Sequence, residues 1–246
     1  MIPKIIHYCW LSNDPIPKFL QNCMKSWSLY LPDYEIIHWD RDRFDINSSI
    51  WTKEAFENKK YAFAADYIRL YALYNYGGIY LDMDVEVLKS FNELLDLKTM
   101  LCFENSSDNR LEMAAFGVEK HSPWIKSCLD YYKNRSFVKK DKSFDTKVLP
   151  LIIKDVLTEY NYKITPVDNL NDAINIELCE KNIPVFPYFF FSPKSYSDGC
   201  IYKNGETYSI HHFSGSWKPW YSRVEMKICK ILGVKYKDFL YRHIKK

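Results

Sequence analysis

The first forty residues carry the pattern that most limits what this chain can fold into. Ile2 to Trp10 is a short, continuous apolar run, as expected of a parallel strand buried on both faces. Pro15 and Pro17 mark a turn into a helix over Lys18 to Tyr30, which closes before Pro32-Asp33. Tyr34 to Trp39 reads as a second strand. A helical crossover between two such strands makes a βαβ unit, and its ligand crevice opens at the C-terminal ends of the strands. Trp10 and Asp40 stand at those ends. The pattern predicts an α/β fold.

A helical run rich in Ala and Tyr follows, from about Ala55 to Tyr76, and Gly77-Gly78 ends it. Ile79 to Leu88 then alternates as a strand. Ile79, Leu81, Met83, Val85 and Val87 form one face, and Tyr80, Asp82, Asp84 and Glu86 form the other. Further on, Met100 to Phe103 and Met113 to Val118 read as short strands, and Ser122 to Tyr132 and Leu149 to Tyr160 as helices. Tyr208 to Phe213 reads as a last strand, and Val224 to Leu232 and Asp238 to Ile244 as short helices. The expected organisation is one domain over 1–220 with a basic helical tail over 221–246.

Composition narrows the function classes. Aromatic residues make up 17%, including 20 Tyr and 7 Trp, which suits binding of flat, partly polar ligands such as sugars or bases. Only 7 Gly argues against a glycine-loop phosphate binder. A net charge of +3 is too small to imply nucleic acid, and none is expected as a partner. The charge is uneven, however. Lys218 to Lys246 holds nine Lys and Arg against two Asp and Glu, a net +7, which suggests peripheral contact with an anionic membrane surface. None of the seven cysteines has CxxC spacing, so neither a zinc site nor a redox motif is signalled. Scattered thiols and the absence of a leader-like apolar segment lead to the expectation of a cytoplasmic protein, with contact at the inner membrane face.

Three clusters can carry chemistry. In Gly77-Gly78-Ile79-Tyr80-Leu81-Asp82-Met83-Asp84, two carboxylates two residues apart on a strand point the same way, with Cα atoms about 6.5 Å apart. A divalent cation turns their repulsion into attraction, and hard oxygens suit Mg²⁺ or Mn²⁺. A solvated acidic strand face is the alternative. Asp66 and Arg69 lie three apart on one face of a helix, among Ala62, Ala64, Ala65 and Leu70. They form either an intrahelical ion pair or a place where small alanines admit a ligand, with Asp66 accepting from hydroxyls and Arg69 orienting it. The third cluster is His211-His212-Phe213-Ser214-Gly215-Ser216-Trp217-Lys218-Pro219-Trp220. An imidazole can complete a coordination sphere begun by two carboxylates, Lys218 can neutralise a diphosphate, and Gly215 permits close backbone approach.

Ile2-Pro3-Lys4-Ile5-Ile6-His7-Tyr8-Cys9-Trp10, Ala64-Ala65-Asp66-Tyr67-Ile68-Arg69 and Gly77 to Asp84 resemble, in this order, the successive motifs of glycosyltransferase family 32. His212-Phe213-x-Gly215-x-x-Lys218-Pro219-Trp220 resembles the C-terminal metal and diphosphate motif of glycosyltransferase family 8. Between residues 100 and 200 little resemblance is found. The resemblance implies a GT-A fold, a Rossmann-like nucleotide-binding sheet. It implies that Trp10 and its neighbours, His7 and Tyr8 among them, line the nucleobase pocket. Asp66 and Arg69, with Ala65, would hold the donor sugar, and Tyr80 would lie by the nucleotide. Asp82 would meet ribose or metal, Asp84 the metal, and His212 would be a protein metal ligand with His211 as the alternative. Trp217 and Lys218 would contact the diphosphate. The expected activity is metal-dependent, retaining transfer from a nucleotide sugar, first of all a UDP-sugar, to a glycan or lipid-linked glycan in capsule or exopolysaccharide synthesis. A toxin-like protein glycosyltransferase and a non-catalytic carbohydrate-binding module are the rivals.

Overall fold

A computed structural model describes residues 1–107, 109–196 and 198–215. Strand β1 (Ile5–Cys9), helix α1 (Lys18–Tyr30) and strand β2 (Glu35–Trp39) form the βαβ unit at the expected places. The two strands pair in parallel, Ile6 opposite Ile36. Helices α2 (Ile50–Glu57) and α3 (Tyr61–Tyr76) follow, then β3 (Gly78–Leu81), β4 (Val85–Val87), β5 (Thr99–Met100) and β6 (Ala115–Val118). After helices α4 (Pro123–Tyr131) and α5 (Leu149–Glu159) come β7 (Lys163–Pro166), α6 (Leu170–Glu177), β8 (Asn182–Val185) and β9 (Ser209–His211). The central sheet has the order β2-β1-β3-β6-β5, with β1 parallel to β2 and β3, and β6 antiparallel to β3 and β5. Two small pairs stand apart from it, β4 with β9 and β7 with β8.

Alternation along the strands divides the core in two. Ile6, Ile79 and Leu81 pack with Trp27 of α1 and with Leu31 just after it, and Met83, Val85 and Val87 continue that layer. Trp39 and Tyr80 face the other way, into a layer with Ile68 and Leu73 of α3, Trp124 of α4 and Ile152 of α5. Burying apolar area on both faces is what makes β1 and β3 read as near-continuous apolar runs.

At the junction of α3 and β3, Gly77 and Gly78 hold φ of +66° and +101°, a region that side chains resist. A Cβ on Gly78 would sit 2.6 Å from the carbonyl oxygen of Ile5. The pair therefore lets β3 enter the sheet hard against β1. His7 locks the junction. Its Nε2 lies 2.8 Å from the Gly77 carbonyl, and its Nδ1 accepts from Trp39 Nε1 at 3.1 Å. Both nitrogens of this buried ring are thus committed, Nε2–H as donor and Nδ1 as acceptor. Burial pushes its pKa down to about 4, against the weaker opposing pull of the Gly77 bond.

Two sequence readings are corrected here. The single helix expected over 55–76 is broken, because Lys59 takes φ of +56° and Lys60 N–H bonds back to the Ala55 carbonyl at 2.8 Å. That is a helix-ending turn with Lys where Gly is usual, so nothing in the sequence flagged it. The strand expected over 79–88 is also two strands. After Asp82 N–H bonds the Ala114 carbonyl at 2.7 Å, the chain turns, Val85 N–H to the Asp82 carbonyl at 2.9 Å, and leaves the central sheet for β9. The helices expected at 224–232 and 238–244, and the boundary at residue 220, lie outside the described residues. Among the described residues no helix is long and apolar enough to cross a membrane.

Candidate active site

The turn after β3 is where the acids gather. β3 carries Tyr80 and delivers Asp82 and Asp84 to the strand's C-terminal end, the edge at which open α/β sheets bind ligands. Because the chain turns between the two acids, their proximity comes from the turn and not from strand alternation. Strand β9 then lies antiparallel against β4 with His211 opposite Val85. This register brings the His211 Nε2 to 3.6 Å from Asp84 Oδ1. One ligand atom each from Asp82, Asp84 and His211 lies within 4.8 Å of the other two. The His212 side chain leaves on the opposite side. Its Nε2 lies 2.8 Å from Glu86 Oε2, and its backbone accepts from Lys194 Nζ at 3.0 Å. The expectation that His212 joins the carboxylates is therefore replaced by His211, since neighbours on a strand point to opposite faces and the pairing with β4 selects His211.

The chemistry of the Asp82–Asp84–His211 set fits a divalent cation. Two carboxylates and an imidazole nitrogen are a donor set that Mn²⁺ and Mg²⁺ accept, with room for phosphate oxygens in the remaining positions. Asp84 is also held from behind, accepting from Ser214 N–H at 2.7 Å through Oδ2 while its carbonyl accepts from His212 N–H at 3.0 Å. Burial, the largest influence on His211, disfavours its charge, yet Glu112 and Asp84 outweigh it and raise its pKa to about 10. The acids around this ring thus favour positive charge at its position.

Beside this cluster lies a second one on α3. Arg69 is 7% exposed and its guanidinium spans three groups. NH2 is 3.2 Å from Asp66 Oδ1 and 3.4 Å from Asp82 Oδ1, and NH1 donates to the Met113 carbonyl at 2.7 Å. The guanidinium also lies over the Tyr80 ring, 4.4 Å from its centroid, and the Tyr80 hydroxyl donates to Asp82 at 3.1 Å. Arg69 Nε is buried without a partner among the described residues. Burial raises the Asp66 pKa to about 7, opposed by Arg69 and assisted by Asp82. Asp82 is raised as well, by burial first, with Arg69 opposing. Ala65 packs on the same helix at 8% exposure.

The remaining candidates fall into three groups. Tyr8 is half-buried and stacks flat on His38, centroids 4.7 Å apart, and Trp10 Nε1 donates to the Asp14 carbonyl, so both lie on the rim at the end of β1. His7 is fully buried, and its contacts are the internal ones given above. Gly215 has φ of +62°, while Trp217 and Lys218 lie outside the described residues. Sequence reasoning missed Glu112, a buried carboxylate whose Oε2 is 3.0 Å from His211 Nδ1. The available signal was a lone acid in the apolar stretch Leu111-Glu112-Met113-Ala114-Ala115-Phe116.

Residues 17–101 match the family described as "Glycosyltransferase sugar-binding region containing DXD motif", and Asp82-Met83-Asp84 is that motif in this chain. The chain is similar to inositol phosphoceramide mannosyltransferase 3 of Schizosaccharomyces pombe, 31% identical over 128 residues covering 50% of this chain and 35% of that protein. It is also similar to the uncharacterized glycosyltransferase L373 of Acanthamoeba polyphaga mimivirus, 28% identical over 94% of this chain and 88% of the viral protein. A third relative is the mannosyl phosphorylinositol ceramide synthase CSH1 of Saccharomyces cerevisiae, 31% identical over 54% of this chain and 37% of that one. The chain thus spans little more than a third of the length of the two yeast relatives. Among solved structures, PaToxG glycosyltransferase aligns with a TM-score of 0.47 at 17% identity, over 65% of this chain and 69% of that chain. The galactosyltransferase LgtC aligns with a TM-score of 0.37 at 16% identity, over 62% and 70%.

Proposed function

We propose that this chain is a metal-dependent glycosyltransferase of GT-A type that moves a hexose from a nucleotide sugar to a glycan acceptor. The observation that carries the reading is the convergence of the DXD carboxylates with His211 on one side and with the Asp66–Arg69 pair on the other. Asp82, Asp84 and His211 would hold Mn²⁺ or Mg²⁺. When bound, such an ion supplies positive charge to the diphosphate as the sugar departs. Asp66 accepts hydrogen bonds from the donor's hydroxyls. Arg69, fixed on the Met113 carbonyl and Tyr80, bridges Asp66 and Asp82, so the sugar and the diphosphate would be positioned by one rigid unit. Tyr8, stacked on His38, and Trp10 offer aromatic surface for the base at the end of β1. The family resemblance implies that Lys218 would add a second positive group at the diphosphate and that configuration is retained.

The donor in this reading is a UDP-sugar. A mannosyl donor such as GDP-mannose is the second reading, favoured by the names of the yeast relatives. The acceptor is a glycan or lipid-linked glycan, and the basic segment 218–246 supports peripheral attachment to anionic lipid at the cytoplasmic face. Thermal-shift screening of UDP- and GDP-sugars with and without Mn²⁺ tests the reading. A cation-dependent shift with one nucleotide series is expected, and equal shifts in excess chelator would contradict it. Co-sedimentation with anionic vesicles at low salt, lost at high salt, tests the attachment, and no binding at low salt rejects it.

A further inference from the structure

Glu112 has no counterpart among the motifs that point to the site, yet it is 2% exposed and both of its oxygens are in use. Oε1 accepts from Ala114 N–H at 2.7 Å, and Oε2 lies 3.0 Å from His211 Nδ1. Its own N–H bonds the Cys102 carbonyl at 2.9 Å, so the residue is fixed at the backbone as well. The next two residues serve the same site. The Met113 carbonyl accepts from Arg69 and the Ala114 carbonyl from Asp82 N–H. One three-residue segment thus ties together His211, Arg69 and Asp82, which come from three different elements.

We infer that Glu112 is the positioning residue of the cation site, keeping a proton on His211 Nδ1 so that, once the Nε2 proton gives way to an ion, the Nε2 lone pair is the one that faces Asp82 and Asp84. A carboxylate at Nδ1 can only accept, so it selects the Nδ1–H form, and a ring hydrogen-bonded on one side is also held in orientation. The inference deepens the proposed metal-dependent reading and rests on it. It involves no contact between Glu112 and the ion.

Glu112→Gln separates this role from packing, because size and shape are conserved. The backbone N–H of Ala114 can only donate, so the glutamine oxygen stays on it and the amide NH₂ turns to His211 Nδ1. The ring must then accept at Nδ1 and carry its proton on Nε2, which removes Nε2 as a ligand. Mn²⁺ titration followed by electron paramagnetic resonance should give an affinity roughly 10- to 100-fold weaker in the folded variant. The residual bound Mn²⁺ should have lost the directly coordinated imidazole ¹⁴N coupling that the wild type shows in electron spin echo modulation. Unchanged affinity overturns the inference. So does weaker affinity with the ¹⁴N coupling retained, since Glu112 would then act on the ion and not through the ring. Wild type that binds no Mn²⁺ removes the metal reading and this inference together, whereas the two other contrary results leave the metal reading standing. Should Glu112→Gln not fold, the ¹⁵N spectrum of His211 in Mg²⁺-loaded wild type decides. A proton on Nδ1 supports the inference and a proton on Nε2 overturns it.

Discussion

The two halves of the site handle buried acid in opposite ways. On the α3 side, Asp66 and Asp82 share Arg69, a permanent cation gripped by a backbone carbonyl and an aromatic face. On the β9 side, Asp84 and Glu112 share His211, whose charge is a removable proton. The first half is held by a charge that no change of pH removes, and it presents fixed hydrogen-bonding groups. The second holds a removable charge, and under the proposed function a metal ion would take the place of that proton. Rigid positioning and exchangeable charge are thus assigned to neighbouring groups that meet at Asp82.

The comparison breaks most sharply at Asp84. Asp84→Asn keeps an acceptor for Ser214 N–H but removes a charge from the exchanging half. Turnover is expected to fall roughly 100-fold or more, with Mn²⁺ affinity reduced and melting temperature held. Near-normal turnover would mean that the cation half is ornamental. Asp66→Ala probes the fixed half. Transfer should drop by about two orders of magnitude through lost sugar positioning, while Mn²⁺ and nucleotide affinities stay within a few-fold. Equal collapse of nucleotide affinity would make the Asp66–Arg69 pair a structural ion pair.

Next in size is the contrast between the adjacent histidines. His211→Ala should weaken Mn²⁺ about tenfold or more, and His212→Ala, which removes side-chain contacts with Glu86 and the Phe19 ring but keeps the backbone carbonyl that accepts from Lys194, should change it little. Isothermal titration of both variants with Mn²⁺ checks the order, and the reverse order would place the wrong imidazole at the carboxylates.

The smallest expected effect concerns His7, which locks the floor under both halves at Gly77. In the folded chain His7 holds its proton only below about pH 4, whereas unfolded it takes one up near its ordinary value of 6.5. Between those values the unfolded state binds more protons, so stability falls as pH falls through that window. The difference amounts to at most ~3 kcal/mol for one group. Chemical denaturation at pH 7.5 and pH 4.5 should therefore show a smaller loss in His7→Gln, which can still donate to Gly77 and accept from Trp39, than in wild type. An identical loss in both would show that other groups set the acid limit.

What could be read from the sequence follows the same division between local pattern and long-range pairing. The βαβ unit was legible because apolar runs and flanking prolines define it locally, and α1 starts and stops at the residues the pattern indicated. Asp66, Arg69, Asp82 and Asp84 stood out as charges inside apolar stretches. The break at Lys59 was invisible, since it rests on a left-handed Lys and not on Gly or Pro. Strand β7 and helix α6 were missed because they are short and half-exposed, without a clean period. His211 could not be told from His212, since the choice depends on which strand β9 pairs with. Glu112 was hidden for the same reason, its partner lying 99 residues away.

Under the proposed function, Asp82, Asp84 and His211 would hold a metal ion that supplies positive charge to a nucleotide diphosphate. Calorimetric titration of the wild-type chain with UDP and with GDP, each in Mn²⁺ and in excess chelator, tests it most directly. The account predicts that one of the two nucleotides binds at least about tenfold more tightly with Mn²⁺, a gain of ~1.4 kcal/mol or more, and that Asp84→Asn abolishes the gain. Equal affinity with and without the ion for both nucleotides would contradict it.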